Sequence, residues 1–220
     1  MTSALYAQVL NETKDFGRID STVRTAEETL YAQFWATSNL NYNLNSVALD
    51  LGAERHLTLL ENARLFGELN VAMADAAIAV WDAKYYYVFW RPITAIPLAD
   101  TDGNPATIAD PSFLPLITTP GHPEYPSAHS GISGAGITVL AHYFGENSSF
   151  TVPSDQSNVV RSFSSFSEAL DEIENARIYG GIHYRTSTHD GRELGTALGN
   201  YIIENAFQRS GNDSDDQDDD

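Results

Sequence analysis

The chain has 220 residues and a formal net charge of −18, from 12 Lys+Arg against 30 Asp+Glu, which excludes polyanion binding over the whole surface. It contains no cysteine, so disulfides and thiolate metal sites are excluded. Its length and 42% hydrophobic content suffice for a substantial core, and no apolar run reaches the ~18 residues of a membrane span.

Met1 to Asp20 reads as a short helix and a turn around Gly17, with Asn11, Glu12, Lys14 and Asp15 where a signal peptide would be apolar. Thr25-Ala-Glu-Glu28 is a capping box that opens a helix to about Trp35. Asn39 to Asn45 is asparagine-rich and reads as a connection; Val47 to Arg55 reads as a further helix. Thr58-Leu-Leu-Glu61 is a second capping box, and the helix it opens runs to about Trp90. Leu65, Leu69, Ala72, Ala76, Val80 and Tyr87 keep the spacing of a buried stripe. Lys84 falls on that stripe, and Arg91, seven residues on, is placed on the same face before Pro92 ends the run.

Leu98 to Tyr125 is a long loop holding Pro105, Pro111, Pro115, Pro120 and Pro123, a length that in a compact domain points to function. Ser127, just after Pro126, is an N-cap signal for a small-residue helix from Ser130 to Phe144. Gly145 to Asp155 is a second loop. Ser157 to Tyr179 reads as a helix with Val159, Phe163, Phe166, Leu170 and Ile173 on one stripe and Arg177 as its next position. Gly180-Gly181 breaks the pattern ahead of His183, and Asp190 to Arg209 is a last helix. No stretch alternates with period two. The expectation is an all-α helical bundle. Residues 1–209 form one catalytic domain, its oxyanion-binding core at about 58–208, and 210–220 form a disordered acidic tail.

Lys84 and Arg177 replace apolar residues on inward faces, and Arg91 joins Lys84. A buried unpaired charge costs several kcal/mol, roughly. Either Asp75, Asp82 or Glu172 neutralises them, or they converge on an anionic ligand. The chemistry suits a small tetrahedral oxyanion. Two arginines and a lysine supply N–H donors, Ser127 a hydroxyl and Ala128 a helix-start amide. His129 is the candidate acid–base, and His183 a candidate nucleophile or ligand.

Lys84-x6-Arg91-Pro92, Pro126-Ser127-Ala128-His129 and Arg177-x5-His183 together resemble the three-part signature of vanadium-dependent haloperoxidases and of the type 2 phosphatidic-acid-phosphatase superfamily of acid phosphatases. Trp81 to Tyr85 and Phe89 to Pro92 resemble stretches of the bacterial haloperoxidases. The resemblance spans about Thr22 to Phe207 and implies the helical bundle of that superfamily, without an N-terminal helical half. It implies vanadate as cofactor, with phosphate able to occupy the same site. Lys84, Arg91, Ser127, the Ala128 amide and Arg177 then bind its oxygens. His129 is the acid–base, and His183 the axial ligand to vanadium. Lys84 is also implied in catalysis, polarising bound peroxide.

The implied reaction is oxidation of halide by hydrogen peroxide to hypohalous acid, which passes to a small organic acceptor. His122, seven residues before His129, is similar to the residue found in bromide-type enzymes, so bromide is expected over chloride. The alternatives are a soluble acid phosphatase that hydrolyses phosphate monoesters through a phosphohistidine at His183, and a non-catalytic homologue that keeps only the pocket. The family often carries an aspartate at the position of Ser187; Asp190 is the nearest carboxylate that could take its place toward His183, unless a backbone carbonyl does. No nucleic acid partner and no membrane span are expected. Assembly into a homo-oligomer is left open, as is localisation, although many such relatives are exported.

Overall fold

The structure is a computed structural model and describes residues 1–154, 156 and 158–208. The acidic tail expected at 210–220 lies outside the described residues. Helix α1 spans Ala4–Gly17, α2 Ala26–Thr37, α3 Leu40–Glu54 and α4 Leu59–Tyr87. A short α5, Pro92–Ala95, is followed by the long loop, which is irregular apart from a 3₁₀ turn at Ala99–Thr101. Then come α6, Ala128–Phe144, a hairpin of β1, Phe150–Pro153, and β2, Val160–Phe163, and finally α7, Phe166–Tyr179, and α8, Arg185–Asn205.

Both capping boxes form. The Thr25 amide donates to Glu28 at 2.7 Å and the Thr58 amide to Glu61 at 2.8 Å, while each threonine hydroxyl accepts the amide three residues on. The buried stripe of α4 carries Leu65, Leu69, Ala72, Met73 and Ala76 into the main core, and Val80 is buried further along it. That core also gathers Trp35, Leu44, Val47, Leu140, Phe166 and Ile173. Each fully buried Val, Leu, Ile, Met or Phe among them contributes roughly 1.5–3 kcal/mol.

Helices α6 and α8 share the most extensive contact, and α4 and α7 flank α6. The closeness comes from glycine. A Cβ on Gly195 would stand 1.9 Å from the Gly131 carbonyl oxygen, so any side chain there would force the helices apart. A second, smaller cluster of Tyr6, Val9, Leu10, Ala95, Ile96, Phe113 and Tyr184 packs α1 against α5.

Four sequence expectations change. Asn39 to Asn45 is not a connection: Asn39 caps α3, its side-chain oxygen accepting from the amides of Asn41 and Tyr42 at 3.0 and 3.2 Å. Asn45 then reaches across to α4, where its amide and that of Asn70 hydrogen-bond to each other at 3.1 and 2.9 Å. Ser157 to Tyr179 is not one helix. Val160–Phe163 pairs antiparallel with Phe150–Pro153, and only from Phe166 does the chain become helical. Ser165 is the reason for the late start: its side chain caps α7 by accepting the Glu168 amide at 3.1 Å. The last helix begins at Arg185, before the expected Asp190, and ends at Asn205.

The fourth change bears on the site. Helix α4 stops at Tyr87, because Val88 takes a left-handed conformation, φ 46° and ψ 51°. That turn redirects the chain, so Arg91 does not share a helical face with Lys84. It stands instead at the N-terminal boundary of α5, with Pro92 as the first helical residue.

Candidate active site

Three segments converge on one buried point. Lys84 comes from the last turn of α4, Arg91 from the start of α5, and Arg177 from the last turn of α7. Ser127 caps α6, Ala128 and His129 open it, and His183 sits in the turn between α7 and α8. Lys84, Ser127, Arg177 and His183 are all buried, and Arg91 nearly so.

No carboxylate lies within ion-pair distance of Lys84, Arg91 or Arg177 among the described residues. Glu172 is committed elsewhere: it pairs with Arg161 at 2.5 Å and accepts the Trp35 indole N–H at 2.9 Å. Asp75 and Asp82 form no ion pair with the three cations either.

Backbone carbonyls meet the cations instead. Lys84 Nζ donates to the carbonyls of Pro123 and Glu124 at 2.8 and 3.0 Å. Arg91 donates through Nε to the His122 carbonyl at 3.0 Å and through Nη1 to the Ile182 carbonyl at 2.8 Å. Its Nη1 also lies 3.0 Å from His183 Nε2, and its Nη2 lies 3.2 Å from His122 Nδ1. Arg177 Nη1 donates to the Trp35 carbonyl at 3.2 Å, and its buried Nε has no partner.

Carbonyl dipoles do not cancel three full charges, and the electrostatics follow. Burial first, and Arg91 second, push the Lys84 ammonium down to about 7. Burial lowers Arg91 to about 10, and burial with the Arg91 charge lowers Arg177 to about 9. The same two causes, in that order, hold His183 well below the ordinary histidine value. For His129 they are burial and then Arg177. Both histidines are therefore neutral at pH 7.

His129 Nε2 lies 3.0 Å from the Trp35 carbonyl oxygen, the same atom that Arg177 reaches. A carbonyl can only accept, so Nε2 carries the proton and Nδ1 the lone pair. His183 is held from both sides. Its Nδ1 lies 2.9 Å from Glu124 Oε1, and Ser187 Oγ stands 3.3 Å from the same nitrogen.

A pocket of about 240 Å³ opens at this point. His122, Ala128, His129, Arg177 and His183 line it, together with Trp81 and the turn at Ser38 to Asn41. Lys84, Arg91 and Ser127 do not line it. Arg91 joins it through its contacts with His122 and His183, and Lys84 through the carbonyl of Glu124. Ser127 is its neighbour in the chain: its hydroxyl accepts from Ser130 Oγ at 3.1 Å, and its own amide donates to the Ser187 carbonyl at 3.0 Å.

Asp190 does not serve His183. Its carboxylate accepts the Tyr125 hydroxyl at 2.8 Å, and the carboxylate at His183 is Glu124. Glu124 and the Trp35 carbonyl are the contributors that the sequence reading does not single out. The available signal for Glu124 is a carboxylate inside a proline-rich loop, three residues before Ser127. A main-chain carbonyl leaves no signal at all.

The donor set fits an oxyanion. Among the described residues no three His, Asp or Glu side chains come together to hold a metal cation. Unneutralised cations, an unpartnered Arg177 Nε and a helix start suit an anionic group with several oxygens instead.

Comparison with known proteins points the same way. Residues 64–211 match the family model of the VCPO second helical-bundle domain. The vanadium chloroperoxidase of Curvularia inaequalis is 26% identical over 239 aligned positions, covering 80% of this chain and 39% of that protein. The vanadium-dependent bromoperoxidase of Corallina officinalis is 32% identical over 125 positions, covering 49% of this chain and 20% of that one. Among solved structures, a bacterial vanadium-dependent iodoperoxidase superposes with a TM-score of 0.80 at 33% identity, over 92% of this chain and 49% of that one. The apo form of a bacterial vanadium-dependent chloroperoxidase superposes with a TM-score of 0.73 at 16% identity, a likeness of fold alone, over 90% of this chain and 48% of that one. The chain thus spans half or less of the length of these relatives.

Proposed function

The chain belongs to the vanadium haloperoxidase/acid phosphatase superfamily, through its VCPO second helical-bundle domain, and we propose that it binds vanadate at His183 and oxidises halide with hydrogen peroxide. The observation that carries this reading is the convergence of Lys84, Arg91 and Arg177, unpaired with any carboxylate, around a histidine held from behind by one.

In this reading Lys84, Arg91, Arg177, the Ser127 hydroxyl and the Ala128 amide would hold the oxygens of the anion, and His183 Nε2 would be its nitrogen ligand. Bound vanadate supplies Lewis-acid activation of peroxide without a change in its own oxidation state. The residues do the rest. Burial strengthens each donor toward the anion. We assign to Lys84 the polarisation of a peroxide oxygen. The Nδ1 lone pair of His129 is the atom available to take a proton from incoming hydrogen peroxide, because Nε2–H is committed to the Trp35 carbonyl. His122, held by Arg91 and packed against Trp81, is the wall on which we place the preference for bromide over chloride. The hypohalous acid formed passes to a small organic acceptor.

The test is a titration with orthovanadate followed by assay of bromide-dependent bromination of an indicator with peroxide. Bromination that requires vanadate and disappears in His183→Ala is the expected outcome. A chain that binds no vanadate ends the reading. Vanadate-inhibited hydrolysis of an aryl phosphate, with no bromination, would place the chain with the phosphatases of the superfamily.

A further inference from the structure

Glu124 lies in the long loop, is 1% exposed, and bonds to both Lys84 and His183. Its amide donates to the Phe89 carbonyl at 3.1 Å, next to the α4–α5 turn. Its carbonyl accepts Lys84 Nζ at 3.0 Å and the Ser187 hydroxyl at 3.4 Å. Its carboxylate oxygen Oε1 is 2.9 Å from His183 Nδ1 and accepts the Tyr184 amide at 3.0 Å.

One contact fixes the proton on His183, and a second fits it. Arg91 Nη1, at 3.0 Å from Nε2, can only donate, so Nε2 must offer its lone pair. With Nε2 so assigned, Nδ1 carries the proton, and Oε1, which also accepts the Tyr184 amide, lies 2.9 Å away to take it. The carboxylate therefore grips the ring N–H of His183 and the main-chain N–H of the next residue with one atom. A ring held this way cannot rotate about its χ angles without breaking the bond that fixes its tautomer. Ser187 Oγ, at 3.3 Å, is a longer and uncharged contact to the same nitrogen.

We propose that Glu124 is the positioning residue of His183, holding Nδ1–H so that Nε2 is the nitrogen that keeps its lone pair, on the side where Arg91 meets it. Its role is to orient and enrich the nitrogen that the vanadate reading assigns as axial ligand, and it rests on that reading only for its consequence in binding.

The experiment has two arms. ¹⁵N-detected NMR of the histidine side chains, with His183 assigned by its loss in His183→Gln, reads the tautomer of the wild-type chain without vanadate. The expected result is a proton on Nδ1; a proton on Nε2 would overturn the proposal, whatever the site binds. In the second arm, orthovanadate affinity is measured for Glu124→Gln and for Glu124→Gln/Ser187→Asp, with the fold checked by circular dichroism. Glu124→Gln should weaken vanadate by ~10–100-fold. The double variant should recover most of the loss, because a carboxylate at position 187 starts from a backbone that already brings its side chain to Nδ1. Unchanged affinity in a folded Glu124→Gln chain sinks the proposal. Failure of the wild type to bind vanadate sinks the proposed function instead, and leaves the tautomer measurement to decide the role of Glu124.

Discussion

At the scale of single residues the site holds charge that its own fold does not neutralise. Arg177 is the sharpest case: it is fully buried, one nitrogen is unpartnered, and its charge opposes that of Arg91. Replacing an uncompensated buried ion with an apolar side chain of similar length removes a desolvation cost. Arg177→Met should therefore raise stability by roughly 1–4 kcal/mol in urea melts, while vanadate binding falls at least tenfold. A Met variant that is less stable than the wild type would show that Arg177 is part of the scaffold. This scale is also where the sequence is most legible. Lys84 and Arg177 stand out by residue type and spacing, because charge on an apolar stripe is improbable without a reason, and Ser127 stands out as a helix cap. Glu124 does not, since its bond to His183 joins residues 59 apart and a loop carboxylate follows no period. The Trp35 carbonyl does not either, because every residue has one.

At the scale of elements, capping chemistry was legible and periodicity was not always so. Thr25 and Thr58 open their helices as read, because a capping box is a local bond between neighbours. The stripe drawn from Val159 to Ile173 was false in its first part. Phe163 and Phe166 are three apart, as on a helix, yet they meet Phe150 from a strand and a helix respectively, with ring centroids at 5.6 and 4.6 Å. A three-residue interval does not separate these cases. The end of α4 escaped because Val is disfavoured in the left-handed region, where Val88 nonetheless sits. The α6–α8 seam yields a prediction proper to elements. Gly195→Ala places a Cβ against the backbone of Gly131 at 1.9 Å, with no flexible side chain to yield. The cost should exceed the ~1–3 kcal/mol usual for overpacking. Because Ser127 caps α6 and Ala128 opens it, vanadate binding should fail along with thermal stability. A variant with unchanged melting temperature would contradict the seam.

At the scale of the whole molecule a cationic pocket is set in a chain of net charge −18. The two act on an anion over different ranges. The buried donors act at contact and are little screened, whereas the surface field reaches about 30 Å at 10 mM salt and about 8 Å at 150 mM. Added sodium acetate should therefore speed vanadate association, the reverse of what attraction to a cationic surface would give. Stopped-flow rates that fall with salt would mean that entry is governed by the pocket alone. The all-helical reading holds at this scale apart from the β1–β2 hairpin, which lies away from the pocket. The glycine contact between α6 and α8 has one more consequence. It welds the start of α6, with Ser127 and His129, to the helix that follows His183, and leaves no slack for drift between them. The rest of the lining, with Trp81, Pro120, His122 and the stretch from Ser38 to Asn41, comes from outside that helix pair, so substitutions there can reshape the pocket without moving its α6–α8 base.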